Sequence, residues 1–480
     1  MNQRNSLYLI AISFVASLGG FLFGYDTAII SGCNSFLQEH FQLSPGMLGW
    51  IASSALLGTI AGTIIAGSIT DRFGRKAALI TAATALSLSA IGSMLTPQFL
   101  TAPEEAVWIS SSRDFSLNFL IIFRIIGGIG VGITSAVAPV FISEQTQPGN
   151  RGRFVSIYQL SITLGILLAF FIDWIVLSQA GDEAGVISAQ SKGFLNWIFV
   201  QELWRGMFGT EIPIALLFLV LLAFTPESPR WLVSRNRPGR AMEILTRTSG
   251  RLEAQKQLAD IQASVKTEKG GLKELLQPFM RRPLSIGILL PIFSHLSGIA
   301  AIMYFAPNII NEALDNVEDS FLGAILVGIV NSAFTFVAIY YIERFGRRKL
   351  LITGVTIALF SLATTGLLFA LDSSLILIPM LFYVASFAFS YGPVTWVIVG
   401  EIFPTRIRGL AASLGTLALH VTGFFITLTN PVLRETFGAS GSFFLYAILT
   451  IPAIWFIWKF IPETKGKSLE EIEKEWRGKV

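Results

Sequence analysis

Asp26 and Arg124 are ionisable residues set among apolar residues and glycines, in Gly19-Gly20-Phe21-Leu22-Phe23-Gly24-Tyr25-Asp26 and Arg124-Ile125-Ile126-Gly127-Gly128-Ile129-Gly130-Val131-Gly132. In lipid, an unpaired charge in such a stretch costs roughly 2.5 to 3.5 kcal/mol. The economical arrangement is an ion pair between the two. A carboxylate that later loses its arginine can take up a proton, so the pair has the make-up of a proton switch, with a static structural pair as the alternative. Asp173, a further acid near the end of an apolar stretch, reads as an interfacial or cavity-facing group.

A second set of charges lies in turns, and it comes twice. Asp71-Arg72-Phe73-Gly74-Arg75-Lys76 recurs as Glu343-Arg344-Phe345-Gly346-Arg347-Arg348-Lys349, and Pro226-Glu227-Ser228 recurs as Pro462-Glu463-Thr464. Between them, Glu144 with Arg151-Gly152-Arg153 recurs as Glu401 with Arg406-Ile407-Arg408-Gly409. Repetition in the same order marks an internal duplication. Each turn sets a carboxylate beside guanidiniums, with glycine for a tight connection. If the sets of the two halves meet, they form a charged belt that closes one side of the molecule. Partly exposed pairs worth about 1 kcal/mol or less each can be rearranged thermally, which suits a gate. The expected gate comprises Asp71, Arg72, Gly74, Arg75, Glu144, Arg151, Glu227, Glu343, Arg344, Gly346, Arg347, Glu401, Arg408 and Glu463.

The elements that must position these residues follow from composition. Of 480 residues, 52% are hydrophobic and 14% charged, more apolar surface than a soluble core can hide. Twelve apolar stretches of the roughly 20 residues needed to cross a bilayer lie near 8–30, 47–70, 77–96, 117–142, 155–177, 208–225, 284–306, 321–342, 349–370, 375–400, 409–430 and 442–461. Long runs without period-2 alternation exclude a β-barrel. The expected fold is an all-α membrane protein of twelve transmembrane helices in two six-helix halves. An amino-terminal half (1–225) is followed by a polar helical linker (226–282), a carboxy-terminal half (283–462) and a tail helix (463–480). In the linker, Ala241, Ile244, Leu245, Leu252, Leu258 and Ile261 among charges predict amphipathic helices on the membrane face. The tail begins with a serine N-cap, Ser468, and Glu471 three residues on.

Charge sets the orientation. Of 35 Lys and Arg, Arg113, Lys192, Arg205 and Arg434 fall on one side of this topology, Arg124 lies within a span, and all the rest fall on the other. The positive-inside rule then puts both termini in the cytoplasm and the loop 307–320, with Glu312, Asp315, Glu318 and Asp319, outside. The net charge of +4 orients the chain and calls for no nucleic acid. The first apolar stretch is longer than a signal-peptide core and is expected to stay in the mature protein. Cys33 is the single cysteine, so there is no intramolecular disulfide and no cysteine metal cluster. The absence of an Asn-X-Ser/Thr sequon favours a bacterial inner membrane.

The ordered set of motifs resembles the sugar porter family of the major facilitator superfamily, which includes bacterial proton-coupled xylose transporters and facilitative glucose transporters. Residues 19–26, Asp71 to Lys76, Arg124 to Gly132, Pro226-Glu227-Ser228-Pro229-Arg230-Trp231, Gly392-Pro393-Val394-Thr395-Trp396, Glu401-Ile402-Phe403-Pro404 and Pro462 to Gly466 carry the resemblance over nearly the whole chain. It implies the major facilitator fold with inverted repeats, a monomer in lipid, and a small-molecule substrate moved by alternating access. It also implies that Asp26 is the proton-coupling carboxylate, Arg124 its modulator and Glu211 a nearby member of the network.

Sugar recognition needs donor–acceptor groups for hydroxyls and aromatic faces for the ring. Gln159, Tyr304, Asn331 and Trp396 match sugar-contacting positions of the family, with Phe23 and Phe387 as walls. Gly392-Pro393 predicts a break in the tenth span. The seventh span departs from the family's Gln-Gln-X-X-Gly-Ile-Asn, reading Ser294-His295-Leu296-Ser297-Gly298-Ile299-Ala300, and the eleventh has Leu419-His420. Ser294, His295 and His420 then stand at cavity positions, where imidazoles can bond a hydroxyl or pair with a carboxylate. No third ligand completes a metal site, and no cofactor is expected. Absence of a nucleotide loop or triad disfavours an enzyme. The reading is proton symport of a monosaccharide or polyol; alternatives are a sugar acid or other small organic acid, a proton-independent facilitator, and a nutrient sensor on the same scaffold.

Overall fold

The computed structural model describes residues 3–99, 110–146, 151–181, 194–267, 272–404, 407–465, 471–472 and 476. Apart from a two-residue pairing of Gln98–Phe99 with Ser110–Ser111, the described residues form helices and their connections. Long apolar helices run over Leu7–His40, Pro45–Phe73, Arg75–Met94, Arg113–Gln145, Phe154–Gln179, Leu203–Phe224, Pro278–Leu314, Val317–Ile342, Arg347–Ala370, Ser374–Ile402 and Gly409–Phe460. The last is two helices joined at Gly438 (φ 70°, ψ 170°), which restores the twelve expected spans. Several helices outrun their apolar stretch: the seventh continues through Pro307 to Leu314, so Glu312 is helical and not in a loop.

Local chemistry sets the boundaries. Ser44 caps the second span, its hydroxyl accepting from Met47 N (3.4 Å), with Pro45 at the first helical position. Ser112 caps the fourth at Phe115 N (3.3 Å) and Asn316 the eighth at Asp319 N (3.1 Å). Gly74 (φ 102°) and Gly346 (φ 86°) make the sharp corners after the second and eighth spans. A side chain at either would be strained by that φ and would also meet a carboxylate, Glu227 at the first and Glu463 at the second.

Three spans are broken. The sixth is interrupted at Thr210–Glu211, both of which keep helical backbone angles, and the seventh is broken at Gly298 and again at Phe305 (φ −138°). The tenth breaks at Ser390 (φ −118°, ψ −88°), not at Gly392-Pro393 as expected. Pro393 falls in the first turn of the following helix, where its missing N–H costs nothing.

Small residues let the second and fourth spans touch backbone to backbone: a Cβ on Gly58 would meet the Ile125 carbonyl, and one on Gly128 that of Ala55. The apolar core divides in a telling way. One cluster draws residues from both halves, including Ile29, Leu48, Phe170, Tyr304, Val327 and Ile426. A second is confined to the amino-terminal half. A third belongs to the carboxy-terminal half, with Ile472 and Trp476 of the tail packed into it. The halves are thus joined on the side away from the charged turns and have separate cores on the side that bears them. Within the linker, helices at Pro229–Ser234, Pro238–Ser249 and Arg251–Thr267 pack Leu232, Val233 and Ala241 against Ile244, Leu258 and Ile261; Leu252 is exposed. Ser468 lies outside the described residues.

Candidate functional site

The Arg124 guanidinium forms an ion pair with Asp26 Oδ1, with 1% and 4% of the two residues exposed, and its carbon stands 5.6 Å from the Phe208 ring centre. Glu211, 1% exposed, interacts electrostatically with both. It sits between the two segments of the sixth span, Leu203–Gly209 and Ile212–Phe224. Glu211 Oε1 and Arg124 Nε and Nη2 have no hydrogen-bond partner. Asp26 holds the guanidinium, and Glu211 is a second buried carboxyl within its electrostatic reach. Beside them Tyr25 donates to Thr210 Oγ1 (2.9 Å).

Asp173 is neither interfacial nor cavity-facing. It is fully buried, its carboxyl group lies against the bare face of Gly32, and neither oxygen has a hydrogen-bond partner. An acid one turn from a span's end gave the sequence no means of telling which way it points.

The expected substrate residues make local contacts in three places. Gln159 Nε2 comes within 3.9 Å of where a side chain on Gly392 would start, with the Phe387 ring at 3.8 Å from the same point. Phe23 meets His420 edge-on (ring centres 6.0 Å apart), and Ser135 Oγ lies 3.4 Å from His420 Nε2. Ser294 donates to the Pro291 carbonyl (2.7 Å) and lies 3.3 Å from His295 Nδ1, while the His295 ring packs beside Gly423. Tyr304 and Asn331 are buried and Trp396 is half-buried. Ser135 escaped sequence reasoning because a lone serine on an apolar helix carries no signal. So did Ser31 and Asn34: Asn34 Nδ2 donates to the Tyr304 carbonyl (2.7 Å), and Ser31 Oγ accepts from Ala306 N (3.1 Å). The break at Phe305 frees those two backbone groups, and the first span satisfies them; this ties one half to the other.

The charged turns form two clusters of the same design. In the first, Arg75 pairs with Glu144 (Nε–Oε2 3.1 Å). Glu227 accepts from the backbone N–H groups of Arg75 (3.0 Å), Lys76 (3.2 Å) and Ser228 (2.7 Å), and Ser228 donates to Glu144. In the second, Arg347 grips Glu401 with two nitrogens (2.7 and 3.2 Å). Glu463 accepts from the N–H groups of Arg347 (3.0 Å) and Arg348 (3.2 Å), and Thr464 donates to Glu401 (2.6 Å). Each glutamate of a Pro-Glu set thus caps the helix that starts after a glycine corner.

The pairing corrects the expectation of a belt across the halves. Among the described residues each cluster closes on its own half, because Pro226-Glu227 and Pro462-Glu463 end the very spans that pack beside Arg75 and Arg347. Asp71 and Arg72 contribute carbonyls, both bonded by Arg235 (2.6 and 3.1 Å); the Arg344 carbonyl accepts from Lys465 (2.8 Å). The side chains of Arg151, Glu343 and Arg408 lie outside the described residues. Burial pushes the Glu227 carboxyl above its ordinary value, against the opposing influence of the N–H groups it accepts from. Arg347→Ala removes a bidentate partner from Glu401 and should destabilise the purified chain by about 1 to 3 kcal/mol, read as a lower melting temperature, with Arg347→Lys restoring part of the loss.

A family model described as "Sugar (and other) transporter" matches residues 12–476. The chain is 37% identical over 473 residues to an arabinose-proton symporter of Bacillus subtilis (strain 168), covering 98% of this chain and 95% of that one. It is 36% identical over 493 residues to a D-xylose-proton symporter of Escherichia coli (strain K12), covering 99% and 97%. Among solved structures, it superposes on the proton:xylose symporter bound to 6-bromo-6-deoxy-D-glucose with a TM-score of 0.81 at 36% identity, covering 98% of this chain and 100% of the other. A partially occluded inward-open conformation of the E. coli xylose transporter gives 0.81 at 34%, covering 96% and 100%. Matched by the family model over residues 12–476 and by these relatives over almost its full length, the chain belongs to the sugar transporter family of the major facilitator superfamily.

Proposed function

We propose that this protein imports a neutral monosaccharide or polyol together with a proton, by alternating access. The observation that carries the reading is the buried trio of Asp26, Arg124 and Glu211, in which Asp26 is paired with the one guanidinium and a second carboxyl lies within its electrostatic reach. Such a set changes its preferred charge when a proton arrives, and so couples protonation to helix position. Asp26 carries the coupling proton, Arg124 sets its readiness and Glu211 is the relay. The charged turns face the cytoplasm, with both termini, in agreement with the concentration of Lys and Arg there. The two turn clusters act as hinges that hold each half rigid while the halves rock.

Gln159, Phe23, Phe387, Tyr304, Asn331 and Trp396 form the substrate-binding set, with Gly392 beside the bend that lets the tenth span move. The imidazoles of His295 and His420, at cavity positions, are the observation behind a second reading in which the substrate is a sugar acid.

Uptake of labelled pentoses, hexoses, polyols and uronates by cells making the protein separates the two. The expected result is accumulation of a neutral compound, reduced about 5- to 150-fold at low concentration in Gln159→Ala for a lost hydrogen bond worth about 1 to 3 kcal/mol. Uptake of uronates alone would replace the neutral substrate by an acidic one, and uptake of none overturns both.

A further inference from the structure

Arg205 is one of the few cations that the sequence places on the outer side, yet its side chain is fully buried. Its guanidinium lies between two indoles, with its carbon 4.4 Å from the Trp197 ring centre and 4.2 Å from that of Trp204. It donates to the carbonyls of Met94 (3.1 Å) and Thr96, and its Nε donates to Glu202 Oε2 (2.7 Å). Glu202 Oε1 accepts from Trp197 Nε1 (2.8 Å). Cation–π contacts and charge-assisted hydrogen bonds are strongest out of water. Glu202 and Arg205 thus clamp the start of the sixth span to the end of the third. The segment so held, Leu203–Gly209, leads directly to Thr210, which accepts from Tyr25 (2.9 Å), and to Glu211.

His40 reaches this clamp from the outer end of the first span. Its Nε2 lies 3.5 Å from Glu202 Oε2, the oxygen that Arg205 uses, and its ring packs against Phe41 (ring centres 4.8 Å apart) and Trp204 (5.6 Å). Unlike Glu202 and Arg205, it keeps 23% of its side chain exposed. Among the described residues, the charged groups that face it are Glu202 and Arg205. Histidine changes charge between about pH 5 and 8. A neutral imidazole leaves Glu202 to Arg205. A protonated one brings a second cation to the same carboxylate oxygen; the two cations repel each other and contend for one partner, so the proton weakens the hold of Glu202 on the sixth span. We propose that His40 is a sensor of external pH, a positioning residue whose proton loosens this clamp and lets the first segment of the sixth span, and with it Glu211, follow the rocking halves. The inference rests on the transport reading for which face is outer and for the part played by Glu211.

Exchange of labelled D-xylose and of labelled xylitol by right-side-out membrane vesicles, measured on the full chain carrying Asp26→Asn, separates this sensor from the coupling proton. With internal pH fixed, exchange of at least one probe should rise about two- to fivefold as external pH falls from about 8 to about 5, the scale of a partly exposed ion pair. His40→Gln should hold exchange at its alkaline level throughout, and His40→Lys, charged at every pH used, at its acid level. Varying the internal pH instead should produce no such step. With Asp26 in place, His40→Gln should leave the accumulation ratio unchanged, because a sensor sets the rate and not the driving force. A rise that survives His40→Gln, or no rise with His40 present, overturns the sensor and leaves the transport reading standing. No exchange of either probe by the protein with Asp26 unaltered overturns both.

Discussion

Asp26→Asn should abolish proton-driven accumulation while leaving exchange of substrate across the membrane intact. One proton moving down 100 mV supplies about 2.3 kcal/mol, enough for about 50-fold accumulation of a co-transported neutral molecule. Without a titratable group at Asp26 the ratio falls to about one. Arg124 is buried beside it, and removing one member of a buried pair commonly costs about 3 to 5 kcal/mol. Here Glu211 stands in the same network and takes over as counter-charge, so the variant folds and still rocks. Preloaded vesicles placed in labelled substrate read the exchange, and energised cells read the accumulation. A static pair would give the opposite pattern, with lowered stability and an unchanged ratio.

Gly49→Trp should slow transport by a purely steric route. Gly49 lies at the start of the second span, on the side away from the charged turns, where even a Cβ would meet the Leu428 carbonyl of the eleventh; its neighbour Trp50 packs edge-on against Phe424 (6.2 Å). These contacts belong to the side on which the halves are joined, so a large side chain there opposes that closure and nothing else. Overpacking costs about 1 to 3 kcal/mol even where neighbours yield, which is about 5- to 150-fold in the population of the closed state. Uptake should fall by that factor, while substrate added to the purified variant still binds. Equal loss of binding and uptake would mean that the substitution damages the fold instead.

The duplicated turns and the apolar runs made the fold legible, because lipid permits few ways of satisfying a backbone and because each motif fell at the end of a span. Asp26 and Arg124 were legible as a pair for the same reason: a charge among glycines and aliphatics has few places to go. What the sequence hid was direction. The glutamates of the turns could have faced the other half or their own, and only the packing of the sixth beside the third span and the twelfth beside the ninth decides it. Asp173 could have pointed at lipid, cavity or helix; the absence of a side chain at Gly32 made room for it on the first span. Ser31 and Asn34 gained a purpose only once Phe305 broke the seventh span and left a carbonyl and an N–H to be satisfied. The break at Ser390 shows the same limit on a smaller scale, since proline forbids a helix before it without naming the residue that yields.

The central claim is that a proton crosses with the substrate and that Asp26 carries it. The direct measurement is the external pH of a lightly buffered suspension of de-energised cells making the protein, recorded as the transported sugar or polyol is added. The account predicts a rise in pH on addition, absent in Asp26→Asn cells that still exchange substrate; uptake of the substrate by the unaltered protein with no change in pH would contradict it.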